Sequence, residues 1–190
     1  METKAKMLDA AITLMSRAGF AGVGINAIVK ESGAPKGSLY HFFPDGKRQL
    51  AREAIATYAQ RILAVFEASL ASAEHPGEKI NALFRTVAQR LERGNYQQSC
   101  TVGAVSLDLN EDLEGVRVAA AEAFAAWITL IAKHFTIADE PRRRAFAGLV
   151  LTALQGCCVR GRAERSSQAF SEAAMWLADL AEREVARGGD

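Results

Sequence analysis

The sequence predicts an all-α fold in which three short helices are followed by a larger helical region. Apolar residues recur at intervals of three and four along the chain, which is the spacing of one face of a helix. The four prolines lie where this pattern breaks and never inside it. Apolar residues make up 49% and charged residues 24% of the 190 residues, a balance typical of globular proteins large enough to bury a core.

The first three helices are short and closely spaced. Gly19 follows the first helix and is suited to end it in the left-handed conformation, and Gly33 does the same for the second. The third runs from Lys36 to Phe43, and the turn after it is built from Pro44, Asp45 and Gly46. The apolar residues that mark the three helices are Leu8, Ala11, Ile12 and Met15, then Ile25, Ile28 and Val29, then Leu39, Phe42 and Phe43.

Longer helices follow from residue 47. The predicted spans are 47–73, 77–94, 103–109, 112–135, 139–162 and 167–187. We find no internal repeat and no low-complexity linker in the sequence. Two domains are therefore expected, 1–46 and 47–190, joined without a flexible tether.

Several functional classes lack their usual sequence signals. The longest apolar runs, 123–132 and 147–154, are shorter than the roughly 18 residues of a membrane span, and the N-terminus has no secretory pattern, so a cytoplasmic protein without a membrane partner is expected. Three cysteines make neither a disulfide framework nor a zinc site. Three histidines without a nucleophile, phosphate-loop or metal motif predict no enzyme, metal or cofactor.

The charge is distributed unevenly. Residues 1–52 hold eight Lys/Arg and four Asp/Glu, whereas residues 53–190 hold fifteen and eighteen. A basic N-terminal region indicates a polyanionic partner, although four extra charges could equally form a solvated face.

The second and third helices fit a helix-turn-helix, with Gly33 in the tight turn. At 100° per residue, the apolar side of the third helix opposes Gly37, Ser38 and His41, and Tyr40 lies between the two sides. Gly37 would let the backbone approach base edges, and Ser38 could bind a base or a phosphate. Tyr40, His41 and Lys36 suit phosphate oxygens.

Lys47 and Arg48 open the fourth helix, where the helix dipole disfavours cations. The sequence shows no internal partner for either side chain. A DNA phosphate at this helix N-terminus would explain the lysine.

The stretch GFAGVGINAIVKESGAPKGSLYHFFPDGKRQL resembles the DNA-binding domain of the TetR family of bacterial repressors over about residues 5–52. The segment APKGSLYHFFPDGK is most similar to the LmrA/YxaF-type subgroup. The resemblance implies a helix-turn-helix domain followed by a ligand-binding and dimerisation domain. It also implies contacts to a double-stranded DNA operator from Pro35, Lys36, Gly37, Ser38, Tyr40, His41 and Lys47.

Two positions depart from the family pattern. Gly24 stands where the family usually has a Thr or Ser cap, whose hydroxyl meets a phosphate, and Asn26 stands where arginine is frequent. Both positions remain candidate DNA contacts. Glycine is a serviceable N-cap but supplies no hydroxyl.

The resemblance also implies a homodimer formed by the last two helices. Small residues along the helix at 139–162 support this dimer, as does an apolar surface on the helix at 167–187 that is wider than one neighbouring helix would cover. The alternative is that the last helix is fully internal to its own chain. A two-fold dimer places its recognition helices about 34 Å apart and predicts a pseudo-palindromic operator. The candidate interface residues are Gly148, Thr152, Gly156, Phe170, Ala173, Trp176, Leu177 and Leu180.

In this family the middle helices enclose a small-molecule site whose occupant releases DNA. The implied function is a ligand-responsive repressor, with the inducer unidentified. Each aromatic residue could instead be ordinary core. The candidate ligand-binding residues are Phe84, Tyr96, Cys100, Phe124, Trp127 and Arg162.

Two other functions stay open at this point. If Arg162 approached Cys100, it would favour the thiolate, and the protein could sense electrophiles or oxidants; otherwise Cys100 is a small buried residue. A helical protein-interaction module without DNA binding is the second alternative, but it leaves Gly37, Lys47 and Arg48 unexplained.

Overall fold

The computed structural model describes residues 2–35 and 37–187, and in this part of the chain it contains helices and no β-strand. The predicted all-α fold is therefore confirmed. The α-helices are α1 Glu2–Ala18, α2 Ile25–Ser32, α3 Ser38–Phe42, α4 Gly46–Ala71, α5 Pro76–Arg93, α6 Thr101–Ser106, α7 Glu114–Lys133, α8 Glu140–Glu164 and α9 Gln168–Ala186. A 3-10 helix, Glu111–Leu113, leads directly into α7.

From α4 onwards the observed helix ends lie within two residues of the predicted ones, except that α6 ends at Ser106 and not at residue 109. α3 begins at Ser38 with Gly37 as its N-cap, and the Ser38 amide donates to the Pro35 carbonyl at 2.9 Å; the predicted start at Lys36 lies outside the described residues. α6 begins at Thr101, two residues earlier than predicted. Its N-cap is Cys100, whose Sγ accepts a hydrogen bond from the Gly103 amide at 3.5 Å. Cysteine is not among the usual N-cap residues, so the sequence pattern did not reveal this start.

The chain divides into two compact units, each made of two stretches of sequence. The first unit contains residues 1–61 and 98–124, and the second contains 62–97 and 125–190. The chain passes between the units at three points: inside α4 after residue 61, between α5 and α6 after residue 97, and inside α7 after residue 124. The predicted boundary at residue 46 separates a DNA-binding domain from a ligand-binding and dimerisation domain by function, and it stays a prediction.

In the first unit, α1 packs against α2 and α6. Thr101 at the start of α6 donates through Oγ1 to the Ile12 carbonyl at 3.4 Å, and the Ser99 amide donates to the Ser16 carbonyl at 3.0 Å. α6 is thus fixed to α1 by hydrogen bonds as well as by apolar contact. The core side chains include Met7, Met15, Ile28, Leu39, Phe43, Leu50, Ile55, Val102 and Val105.

In the second unit, α9 packs against α5 and α8. Near its C-terminal end, the buried Glu184 accepts two hydrogen bonds from the Arg142 guanidinium and one from Arg187 at 2.9 Å. A buried carboxylate is costly unless paired, so this cluster fixes the end of α9 to the start of α8.

Among the described residues, one helical stretch, 111–133, is long and apolar enough to cross a membrane by length and composition. No uninterrupted apolar run of that length occurs in the sequence, because this stretch includes charged residues. The observation is weak evidence for a span, since the core helices of globular proteins meet the same criterion. Trp127 in this helix is almost fully buried within the protein.

Candidate nucleic-acid interface

α2 and α3 are two short helices separated by residues 33–37, which is the order of elements in a helix-turn-helix. Gly24 caps α2 in an extended conformation without a side-chain hydrogen bond, and Gly33 ends it at φ 63°, as predicted. The Ser32 hydroxyl donates to the Val29 carbonyl at 3.0 Å and accepts from the Ala34 amide at 3.3 Å. The turn is therefore set by backbone and local hydrogen bonds.

α3 has a buried side and a solvent side. Leu39 and Phe43 are fully buried, which confirms that they attach α3 to the first unit. Tyr40 is 60% exposed, and His41 is exposed with its ring edge-on to Phe42 at 5.0 Å between centroids. Phe42 is only half-buried, because it lies at the margin between the two sides.

The remaining predicted DNA contacts are also accessible where they are described. Gly24, Asn26, Pro35 and Gly37 are exposed and Ser38 is half-buried, while Lys36 lies outside the described residues. An added Cβ would meet no atom within 4 Å at Gly24 or Gly37. These positions leave space for a ligand surface to approach, and their roles at DNA stay predictions.

Lys47 has an internal partner that the sequence did not reveal. Its Nζ lies 4.1 Å from the centroid of the Phe20 ring, a cation–π contact. Burial lowers the pKa of Lys47, and the negative charge of Asp108 opposes that shift. The Arg48 guanidinium Nη2 lies 3.9 Å from Oδ2 of Asp112. The expectation that neither cation has an internal partner was wrong. Both partners, Phe20 and Asp112, are distant in sequence, so no local pattern indicated them.

Asp108 also contacts the corner between α1 and α2. Its Oδ2 accepts a hydrogen bond from the Ala21 amide at 3.0 Å. A Cβ added at Gly19 would lie 2.2 Å from the same oxygen, and Gly19 has φ 68°. Glycine is thus required at this corner for the backbone conformation and for the approach of Asp108.

The predicted ligand-binding aromatics lie in different environments. Phe84 and Trp127 are almost fully buried, and Trp127 packs against Phe66 with 5.9 Å between ring centroids. Phe124 and Tyr96 are half-buried, and Tyr96 has a left-handed backbone at φ 59°. Whether these residues form one ligand site stays a prediction.

A groove with a volume of about 410 Å³ lies between α5 and α9 in the second unit. Phe84 and Phe170 line it together with small residues, and Arg85, Gln89 and Ser171 supply polar groups. Phe84 was predicted to bind a ligand and Phe170 to contact a partner chain, so the structure brings together two residues that the sequence assigned to different sites.

The three cysteines are buried thiols. Cys100 is 7% exposed and caps α6, whereas Arg162 is exposed near the end of α8. Cys157 donates through Sγ to the Ala169 carbonyl at 3.2 Å, and burial raises the pKa of its thiol. No group of three or more metal-binding side chains occurs among residues 2–35 and 37–187.

The last two helices expose a set of large apolar side chains that we call the α8–α9 face: Leu149 and Val159 on α8 with Met175 and Trp176 on α9. An added Cβ at Gly148 or Gly156 would meet open space. Thr152 is exposed, and Ala173 and Leu180 are half-buried. Phe170 and Leu177, also predicted to contact a partner, are buried within the chain and support the helix from its inner side.

Two family models match the chain. Residues 7–54 match bacterial regulatory proteins of the tetR family, and residues 76–175 match the C-terminal domain of LmrA/YxaF-like transcriptional regulators. The HTH-type transcriptional regulator LmrA of Bacillus subtilis is 28% identical over 184 residues, which cover 96% of this chain and 98% of the relative. The uncharacterized HTH-type regulator YxaF of the same species is 34% identical over 133 residues, covering 70% and 69%.

Solved structures share the fold. A regulatory protein TetR from Rhodobacter sphaeroides has a TM-score of 0.82 at 18% identity, covering 94% of this chain and 98% of its own. A cysteine mutant of the TetR-family regulator CifR, complexed with 26-bp double-stranded operator DNA, has a TM-score of 0.79 at 19% identity, covering 92% and 94%.

These matches agree with a DNA-binding role for the exposed polar side of α3. They identify a transcriptional regulator, and not an enzyme or a helical protein-interaction module without DNA binding. The chain belongs to the TetR family of bacterial regulators, with an LmrA/YxaF-like C-terminal domain, and is a DNA-binding regulator of transcription.

Proposed function

We propose that the protein is a ligand-responsive repressor, located in the cytoplasm, that binds a pseudo-palindromic operator as a homodimer. The observation that carries the DNA-binding role is the division of α3, with Leu39 and Phe43 fully buried while Tyr40 and His41 face solvent. The proposed contacts are Gly37 and Ser38 at base edges and Tyr40, His41, Lys36 and Lys47 at phosphates. Phosphate contacts position the helix, and base contacts select the sequence.

The α8–α9 face supports the homodimer. Trp176 and Met175 are 65% and 61% exposed, and large apolar residues grouped on adjacent helices indicate an interaction surface. Gly148 and Gly156 leave room for close approach of another helix. A two-fold axis through this face would give two recognition helices and hence two half-sites about one turn of DNA apart.

A small molecule would release the operator by preferring the conformation that binds DNA poorly. Its effect on operator affinity equals its differential affinity for the two conformations, typically about 1–3 kcal/mol. The aromatic residues of the second unit, including Phe84 and Trp127, support a site for an apolar or aromatic compound.

Selection of bound duplexes from random DNA tests the proposal directly. We expect an enriched palindrome, and binding to it should weaken steeply with salt because several phosphates release counterions. A mobility-shift assay from 50 to 200 mM salt measures the slope. No enrichment together with a flat salt response would contradict operator binding.

Thiol sensing is a second candidate, favoured by one observation. The Cys100 sulfur caps α6, so its modification would remove the hydrogen bond from the Gly103 amide and disturb the start of that helix. Burial of Cys100 acts against it by restricting access of reagents. If the protein senses electrophiles, Cys100→Ser abolishes DNA release by N-ethylmaleimide while Cys157→Ser does not; unchanged release in Cys100→Ser contradicts the idea.

A further inference from the structure

We propose that Asp108 is a positioning residue for DNA binding, whose carboxylate competes with a DNA phosphate for the ammonium group of Lys47. The inference rests on the proposed phosphate contact of Lys47. It assigns a role in operator affinity to a carboxylate beyond the end of α6, far in sequence from the helix-turn-helix.

The corner between α1 and α2 brings the two charges together. The Asp108 carboxylate accepts a hydrogen bond from the Ala21 amide at 3.0 Å. The Lys47 ammonium lies 4.1 Å from the ring centroid of Phe20, the residue before Ala21. Glycine at position 19 leaves the space that the carboxylate occupies. The Asp108 carboxylate is therefore bound to the backbone of this corner, whereas the lysine ammonium is carried on a flexible four-carbon chain.

The electrostatics agree with this geometry. Asp108 favours the charged form of Lys47 and raises its pKa against the lowering caused by burial. The face of the Phe20 ring also attracts the ammonium. A phosphate that binds Lys47 must therefore outweigh attraction from a carboxylate that bears the same sign as the phosphate.

A second pair points in the same direction. Arg48, the next residue of α4, lies 3.9 Å from Asp112, which follows α6 in the same acidic stretch. Both partners of this pair are largely exposed, so the pair itself is weak. Two successive cations at the start of α4 thus face carboxylates from the segment after α6.

Asp108 could instead have only a structural role, as the acceptor for Ala21. Asp108→Asn separates the two roles, because an asparagine side-chain oxygen still accepts the amide hydrogen bond while the negative charge is removed. Competition predicts tighter DNA binding by this variant. A structural role alone predicts unchanged or weaker binding.

The test is a double-mutant cycle with Asp108→Asn and Lys47→Met in the full chain. Fluorescence anisotropy measures Kd for a labelled duplex carrying the selected palindrome, or for a random-sequence duplex if none is enriched. We expect Asp108→Asn to tighten binding about two- to fivefold, the range of an exposed ion pair, and to change it little when Lys47 is absent. Thermal melts confirm that each variant is folded.

Glu111→Gln is the matched control, since it removes one negative charge from the same acidic stretch and Glu111 has no ion pair among the described residues. It should change Kd less than Asp108→Asn does. If Lys47→Met weakens binding but Asp108→Asn has the same effect in both backgrounds, the competition is refuted while the phosphate contact stands. If Lys47→Met leaves Kd unchanged, the phosphate contact itself is refuted, and the inference with it.

Discussion

The solvent side of α3 and the α8–α9 face both display large side chains on helices whose opposite sides are buried. Tyr40 on α3 and Trp176 on α9 are exposed to nearly the same extent, 60% and 65%. Their neighbours differ, because Tyr40 lies beside Ser38 and His41 whereas Trp176 lies beside Met175. Equal exposure therefore suits different proposed partners: hydrogen-bonding groups suit a hydrated polyanion, and apolar groups suit another protein surface.

The largest effect should come from the buried side of α3. Phe43→Ala removes a fully buried ring and should lower the free energy of unfolding by about 3–5 kcal/mol, as measured by urea denaturation. Tyr40→Ala, on the exposed side, should stay within about 0.5 kcal/mol of the parent. Similar losses from both substitutions would show that the two sides of α3 do not differ as described.

The α8–α9 face should give the next largest effect. Trp176→Asp should weaken dimerisation by at least about 2 kcal/mol, because a charge replaces a large aromatic residue on the proposed interface. Sedimentation velocity across a dilution series measures the change. Leu107→Asp is the control, since Leu107 is 84% exposed but lies outside this face. Equal dissociation in both variants, or in neither, would contradict the assigned interface.

Substitutions on the solvent side of α3 should have smaller effects, confined to DNA. Tyr40→Phe removes one hydroxyl and should weaken every duplex alike, by about 1 kcal/mol or roughly fivefold. Ser38→Ala should instead change the preference among sequences, because a base-edge contact carries specificity. Competition binding against a panel of operator variants distinguishes them, and uniform losses for both would refute this division of roles.

The smallest effect concerns the inner side of α9. The hydrogen bond from Arg142 lowers the pKa of Glu184 below its ordinary value of 4.5. The stabilisation is therefore complete above about pH 4.5 and is lost as the pH falls through the lower value of the folded state. Melting temperatures of the parent should fall more steeply than those of Glu184→Gln on acidification below pH 4.5. Parallel curves would mean that this pair contributes nothing to acid stability.

The sequence was sufficient for the features that depend on neighbours in the chain. Helical spacing, glycine at the α1 and α2 ends and the two sides of α3 follow from patterns a few residues long, and the structure confirms them. Contacts between distant segments left no such pattern. The environment of Lys47 is one example, since neither Phe20 nor Asp108 could be recognised as its neighbour before the fold was known.

The ends of short helices and the inner side of α9 were predicted less well. Cys100 starts α6 through its sulfur, an unusual cap, and Gly37 is the N-cap of α3 without a side chain that could mark the start. Phe170 and Leu177 carry the same apolar signal as Trp176, and only burial shows that they point into their own chain. Hydrophobicity alone does not tell whether a residue meets its own chain or a partner.

The separation of the two sides of α3 also bears on how such regulators diversify. Leu39 and Phe43 hold the helix in place, so the residues at 37, 38, 40 and 41 can be exchanged without rebuilding the domain beneath them. A duplicated gene could thus acquire a new target promoter through a few codon changes. If the proposed division of contacts holds, positions 37 and 38 are the natural library for redirecting the protein to a synthetic promoter, and positions 40 and 41 tune its affinity.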